Sequence, residues 1–442
     1  MDDGQSLRRE PISRLTEPLV RFMHVESASG VVLLGATITA LILANSGFSD
    51  GYLAFWKTPV GFEFGSITLR HSLVHWINDG LMALFFFVIG LEVKREIVHG
   101  DLGDIREAAL PIAAAIGGMV VPAGIYLALQ AGEPGQSGWG IPMATDIAFV
   151  VGCLALLGPR VPRSFRVLLL SLAIADDIGA ILVIAIGYTD SIGWIALGIG
   201  FAGIGVIELL SRLGVRSFGL YILLGVVVWE GFHESGVHAT VAGVILGLMT
   251  PARAYLSTSV FARTLQDVSD RMHGDWEAEG HRTEHVRSAR WAARETISPL
   301  EYLENTLHPW VGFAIMPIFA LANAGVVFEA SDLVDPVAVA IAAGLLIGKP
   351  LGIVGVSWLA VRAGLAYLPV GVSWATLTAG GMLAAIGFTM ALFIAGLALE
   401  GETLDAAKVG ILCASAVAAV VGMAALVTLL PPAPKPEPGA AD

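Results

Sequence analysis

Two adjacent aspartates, Asp176 and Asp177, stand in the apolar stretch Leu-Ser-Leu-Ala-Ile-Ala-Asp-Asp-Ile-Gly-Ala, 13 residues past Arg163. An ionisable side chain in such a run is expensive to bury and is by default a functional site. Neighbours on a helix point about 100° apart, so the two carboxylates cannot share one partner. Either one lines a water-filled site while the other is paired nearby, or both are structural, bonded to adjacent helices. Asp146 lies in Gly-Ile-Pro-Met-Ala-Thr-Asp-Ile-Ala, where Pro142 and the polar pair Thr145–Asp146 interrupt an apolar run. Freed backbone groups in a membrane must face protein or water, which reads as a broken helix with a binding centre; the bland alternative is a Pro-kinked helix with a structural aspartate. Lys349, in Leu-Leu-Ile-Gly-Lys-Pro-Leu-Gly-Ile, is too far from either flank to snorkel and should pair with Asp176 or Asp146, unless burial deprotonates it. A carboxylate taken out of water holds a proton more readily, and a small cation binds only its ionised form. The chemistry these residues offer is therefore exchange of a proton for a cation.

The elements that must position them are membrane helices. The chain has 442 residues, 55% hydrophobic and only 14% charged, with mean hydropathy +0.75. Residues 27–49, 108–132, 363–399 and 409–434 carry no charge, and about 20 residues of helix suffice to cross a ~30 Å hydrocarbon core. The runs lack the period-2 alternation of a barrel. The expected fold is an all-α polytopic membrane protein with about twelve transmembrane helices. With the N-terminus placed in the cytoplasm, 21 of the 25 Lys and Arg fall on inside segments, and only Lys57, Arg70 and Lys408 fall outside; a wrong count of crossings would scramble this bias. Residues 1–24 are expected to be cytoplasmic and 25–430 to be one transporter domain. Within it, 50–72 is an external loop or β-hairpin, with Val60, Phe62, Phe64 and Ile67 alternating around Gly61 and Gly65, and 251–299 is a charged internal loop, partly helical. The Pro-rich tail 431–442 is expected to be disordered.

Other classes fall away. Arg8, Arg9 and Arg14 precede the first apolar run together with acidic residues, unlike a cleavable signal peptide. Cys153 and Cys413 lie in apolar runs and support neither a disulfide framework nor a zinc site. A net charge of −13 argues against nucleic acid as a partner. No Walker loop, HExxH or repeated Cys/His metal spacing is present, so no enzyme activity or cofactor is expected and the energy source should be an ion gradient.

Ala-Ile-Gly-Phe-Thr-Met (385–390) interrupts the eleventh span at Gly387 and Thr389, matching the break at Asp146 in the fourth. Paired interruptions in two halves point to inverted repeats whose broken helices cross at the site, where helix ends leave partial charges that Asp and Lys side chains offset. Asp79 and Glu92-Val-Lys-Arg-Glu bracket the second span; the latter reads as a solvated charged cluster. Glu208 and Glu230 read as interfacial. His238 and His308, each alone in its stretch, read as packing histidines more readily than as sensors.

These stretches, together with Trp-Ile-Asn-Asp-Gly-Leu-Met, Ser-Gly-Val-His-Ala-Thr, Leu-His-Pro-Trp, Phe-Ala-Leu-Ala-Asn-Ala-Gly-Val and Gly-Lys-Pro-Leu-Gly, resemble the NhaA-type Na+/H+ antiporter family, in order, from residue 72 to about 395. Inverted repeats of this kind were described in part from the same family. The resemblance implies twelve helices, two broken helices crossing, and electrogenic exchange of Na+ (or Li+) for H+ by alternating access, serving sodium and pH homeostasis in a prokaryotic inner membrane. It implies Asp177 as the central ion ligand and proton carrier, Asp176 as a second carrier or ligand paired with Lys349 in one state, and Asp146 with Thr145 as support at the crossing. Glu92, Arg95, Glu96, His238 and Glu304 match positions tied to the family's pH response, and 50–72 its dimer contact. Asn305 stands where a histidine is expected beside Glu304, and 251–299 is longer and more charged than the family pattern. Two rival readings exist. A Na+-coupled solute symporter needs a polar solute pocket, for which the spans supply no extra Arg, Asn or Gln. A membrane scaffold leaves the acidic set without a purpose.

Overall fold

The computed structural model describes residues 26–431 apart from 65–66, 101–102, 190, 216, 257, 275–286, 288 and 294. The expected cytoplasmic segment 1–24, nearly all of the tail 431–442 and part of 251–299 lie outside the described residues.

The chain is an all-α polytopic membrane protein. Seven described helices are long and apolar enough to cross a bilayer, and nine if each of two bent pairs counts as one span. The three further crossings counted in the sequence fall on Met82–His99, which carries Glu92, Lys94, Arg95 and Glu96, and on Phe218–Glu234 and Ala239–Met249, of 17 and 11 residues. Each is too charged or too short to qualify on length and hydropathy alone.

Helix starts are set by the expected chemistry. The side chains of Asp104, Asp146, Ser298, Asp335 and Ser373 each accept a hydrogen bond from a backbone N–H in the following first turn, satisfying donors that have no intrahelical partner. Inside the bundle, Trp374–Ala384 and Phe388–Ala398 are almost wholly buried, with Phe86, Phe165, Phe319 and Phe393 packed into the same core. Trp194–Arg212 is peripheral, with Trp194 and Ile195 74% and 85% exposed. Apolar side chains bared on a spanning helix belong in lipid, where exposure carries no hydrophobic penalty.

One close approach fixes the position of Lys349. Helix Ile105–Gln130 packs against Lys349–Arg362 so tightly that a Cβ on Gly352 would overlap the carbonyl of Gly117, and the reverse holds for Gly117. Only glycine at both positions lets the backbones touch.

The segment 50–72, expected outside, has more structure than the sequence reading allowed. Strands Pro59–Phe64 and Ile67–Ser72 pair antiparallel, with Pro59 opposite Ser72 and Phe64 opposite Ile67. Residues Ser49–Trp56, however, form a helix bent 119° from Ala28–Ala44. It is held by tertiary contact, the Tyr52 hydroxyl donating to Leu321 O and the ring lying against Gly325. Within 251–299, Thr258–Gly274 is helical.

Candidate ion-binding site

The two interruptions meet. The 3-10 segment Pro134–Met143 and the helix Ile147–Leu157 are separated by the extended residues Ala144, Thr145 and Asp146, and Trp374–Ala384 and Phe388–Ala398 by Ala385–Gly387, with a 49° bend. The Asp146 N–H donates to Ile386 O at 2.7 Å. Asp146 Oδ2 accepts from the Thr389 N–H at 3.1 Å and from its hydroxyl, while Oδ1 accepts from Phe149 N–H at 3.3 Å. One buried carboxylate thus caps its own helix and the start of the facing one. Thr389 and Asp146 are 0% and 1% exposed, so these bonds replace all the water the broken backbone has lost.

Thr145 carries the junction onward. Its hydroxyl lies 2.6 Å from Asp176 Oδ2 and 2.9 Å from Ala384 O, so its single proton serves one of two acceptors. Lys349 Nζ donates to the same Asp176 oxygen at 2.8 Å and to Met143 O. Of the two carboxylates open to Lys349 in the sequence, the structure pairs it with Asp176. A wide π turn over Gly344–Gly348 precedes Lys349, and Pro350 follows it. Such turns re-aim a side chain within a helix and recur at functional sites. The second oxygen, Asp176 Oδ1, is buried with no hydrogen-bond partner.

Asp177 is different. It is 3% exposed and, among the described residues, its carboxylate meets neighbouring charges but no hydrogen-bond donor. The helix turn of about 100° per residue carries it off the Thr145–Lys349 side that holds Asp176. A buried carboxylate with no donor is costly unless a proton or cation neutralises it.

The charged residues of the second span form a cluster at the far end of Met82–His99. Arg95 bonds Glu304, and His308 Nδ1 lies 3.2 Å from Glu92 Oε1. Ser171 Oγ donates to Glu96 Oε1 at 3.4 Å, tying the cluster to the helix Arg163–Gly187 about a turn and a half before Asp176. A cleft of about 180 Å³ opens beside it, lined by Arg106, Glu107, Leu110, Ser164, Ser171 and Tyr367 among others. His238 is not part of this cluster. It precedes Ala239–Met249, whose Gly243 and Gly247 pack beside Ala83 and Gly90, and so lies toward the opposite end of Met82–His99. Within 92–96, Arg95 keeps its side chain 49% exposed while bonding Glu304, which lies on Pro299–Trp310 and is 6% exposed.

Two arrangements escaped the sequence. Asn78 and Asn323 exchange side-chain hydrogen bonds at 3.2 and 2.8 Å. Next to Asp79, the residue after Asn78, gather His71, His75 and His233. His71, His75 and Asp79 lie four residues apart in the sequence; the remote partners Asn323 and His233 are what the sequence concealed.

The geometry agrees with what the chain is similar to. Residues 20–426 match the family model described as Na+/H+ antiporter 1. The Na(+)/H(+) antiporter NhaA of Rhodopirellula baltica is 57% identical over 423 residues, 96% of each chain. That of Rhizobium meliloti is 51% identical over 439 residues, 98% of this chain and 99% of the relative. Na(+)/H(+) antiporter NhaA 2 of Acidiphilium cryptum is 50% identical over 419 residues, 95% and 93%. With a family match over nearly its full length and relatives at half identity or more, this chain belongs to the Na+/H+ antiporter 1 family.

Proposed function

We propose that this protein exchanges Na+ (or Li+) for H+ across a prokaryotic inner membrane, with twelve crossings, both termini cytoplasmic, and inverted repeats whose broken helices cross at the site. The observation that carries the reading is the unequal pair at residues 176 and 177. Asp176 is held by Lys349 and Thr145, while Asp177, 3% exposed, has no hydrogen-bond donor among the described residues. Removing a carboxylate from water disfavours its charged form, so Asp177 is neutralised by either a proton or Na+, and the two exclude each other. Asp176 is the second carrier: when its proton returns, Lys349 loses the charge it faces, and the Thr145 hydroxyl can turn to Ala384 O. Asp146 does not move ions in this scheme. It holds the two broken helices in register.

The cleft beside Ser171 is the route by which one side reaches the aspartates. Alternating access closes it and opens the other side. If more than one proton exchanges per Na+, each cycle moves net charge, worth about 2.3 kcal/mol per 100 mV, which expels Na+ against its gradient. The cluster of Glu92, Arg95, Glu96 and Glu304, with His238 at the other end of the bundle, sets the pH response. The hairpin Pro59–Ser72 is the contact of a homodimer. The test uses everted vesicles with an acid interior and a ΔpH-sensitive dye. Na+ or Li+ collapses the gradient with the wild-type protein and fails to do so with Asp177→Asn. Collapse by the folded variant at wild-type rate overturns the assignment.

A further inference from the structure

We infer that His71, His75 and His233, with Asp79, form a second cation site, for a divalent transition metal of the Zn2+ class. The four residues come from three separate elements: the end of strand Ile67–Ser72, the first turns of the helix that leads into Met82–His99, and the last turn of Phe218–Glu234. One donor atom from each histidine lies within 4.8 Å of the others. Asp79 Oδ2 lies beside two of them, 3.1 Å from His75 Nε2 and 3.9 Å from His233 Nδ1. His75 Nε2 is a buried atom whose approach to Asp79 Oδ2 is not a well-aligned hydrogen bond.

Three imidazoles and one carboxylate are a suitable ligand set for tetrahedral zinc, at about 2.0–2.1 Å per bond, which places donor atoms roughly 3.4 Å apart. The Asp79–His75 spacing already fits. The histidine donors, within 4.8 Å of one another, need to close by up to about 1.4 Å to reach that spacing, and His75 and His233 side chains, 35% and 24% exposed, have room to do so. Around them Trp76 and Trp229 stack, and Trp229 lies parallel to His233 with ring centroids 5.5 Å apart. This wall limits rotation of His233 and shields the site on one side. The Trp229 indole N–H donates to Asp79 O at 3.2 Å, which steadies the turn bearing the carboxylate.

Nitrogen donors exclude this as a second Na+ site, because hard cations select oxygen. It lies about 20 Å along the same helix from Glu92, by the rise of 1.5 Å per residue. A bound ion ties the hairpin strand to two helices and so stiffens the external face.

Detergent-purified protein without a polyhistidine tag, dialysed against buffered Zn2+, is expected to retain one zinc per chain, and none of Mg2+ under the same conditions. Zn2+ should raise the melting temperature of the wild type and leave that of His71→Ala and His233→Ala unchanged, with zinc affinity reduced at least tenfold in each. Should those variants fail to fold, the zinc K-edge absorption spectrum of the wild type decides alone: three imidazole nitrogens and one oxygen support the site. A wild type that retains no zinc, a spectrum lacking multiple imidazoles, or unchanged zinc binding in folded variants overturns it and leaves the histidines as an aromatic packing group only.

Discussion

Lys349 Nζ lies 2.8 Å from Asp176 Oδ2, with the two side chains 1% and 2% exposed. The Lys349 ammonium is therefore committed to the first of two adjacent aspartates, and the second is left without a donor among the described residues.

Breaking that pair from one side strands a buried charge, a loss of about 3–5 kcal/mol for such pairs. Lys349→Ala and Asp176→Ala are each expected to lower the melting temperature in detergent strongly. The double variant should be less destabilised than the sum of the two. Additive losses in this double-mutant cycle would show that the two side chains are not coupled.

Asp146 tests the junction rather than the exchange. Asp146→Ala leaves the Thr389 and Phe149 N–H groups unmet inside the bundle, worth about 1–3 kcal/mol per unsatisfied group. Asp146→Asn keeps one acceptor oxygen and should lose less. Thermal melts of both variants, beside Thr389→Val, check this order; equal stability of wild type and Asp146→Ala would mean the break is held by other contacts.

Gly352 and Gly355 lie on the same helix three residues apart but face different surroundings. A Cβ at Gly352 meets the Gly117 carbonyl, while one at Gly355 meets nothing within 4 Å. Gly352→Ala should destabilise by about 1–3 kcal/mol, the range for overpacking, and displace Lys349. Gly355→Ala should cost nothing. A melting comparison of the two variants separates close packing from a general intolerance of side chains on this helix.

Much of this was legible before any coordinates. Asp146, Asp176, Asp177 and Lys349 announced themselves because a charge in an apolar run has few places to go, and Pro142 with Thr145 marked the break by removing a donor and adding a polar group. The choice of partner for Lys349 came only from the family resemblance and not from the residues themselves, since it depends on the rotation of two helices about their axes and on the π turn at Gly344–Gly348, which no local pattern encodes. The helix Ser49–Trp56 was missed because its anchor, Tyr52 on Leu321 O, is a contact between segments 269 residues apart. His233 meets His75 across 158 residues, so a search for metal spacing along the chain passed over the cluster.

The Arg95–Glu304 bond offers a test of pH control. Glu304→Gln and Arg95→Ala should shift the pH at which exchange is half-maximal while leaving the rate at the optimum within about threefold, a change of roughly 0.7 kcal/mol in the barrier. Transport measured from pH 6.5 to 9 in vesicles distinguishes this from a loss of rate at every pH, which would place the pair in the transport path or the scaffold.

Competition between Na+ and H+ at Asp177 is the claim on which the mechanism stands, and the apparent KM for Na+ as a function of pH tests it most directly. In proteoliposomes with the membrane potential clamped, the account predicts that KM rises about tenfold for each unit of acidification below the pH of the carboxylate's titration, with the maximal rate unchanged. A KM that stays constant while the maximal rate falls would mean that proton and cation bind independently, and would contradict exchange at a shared aspartate.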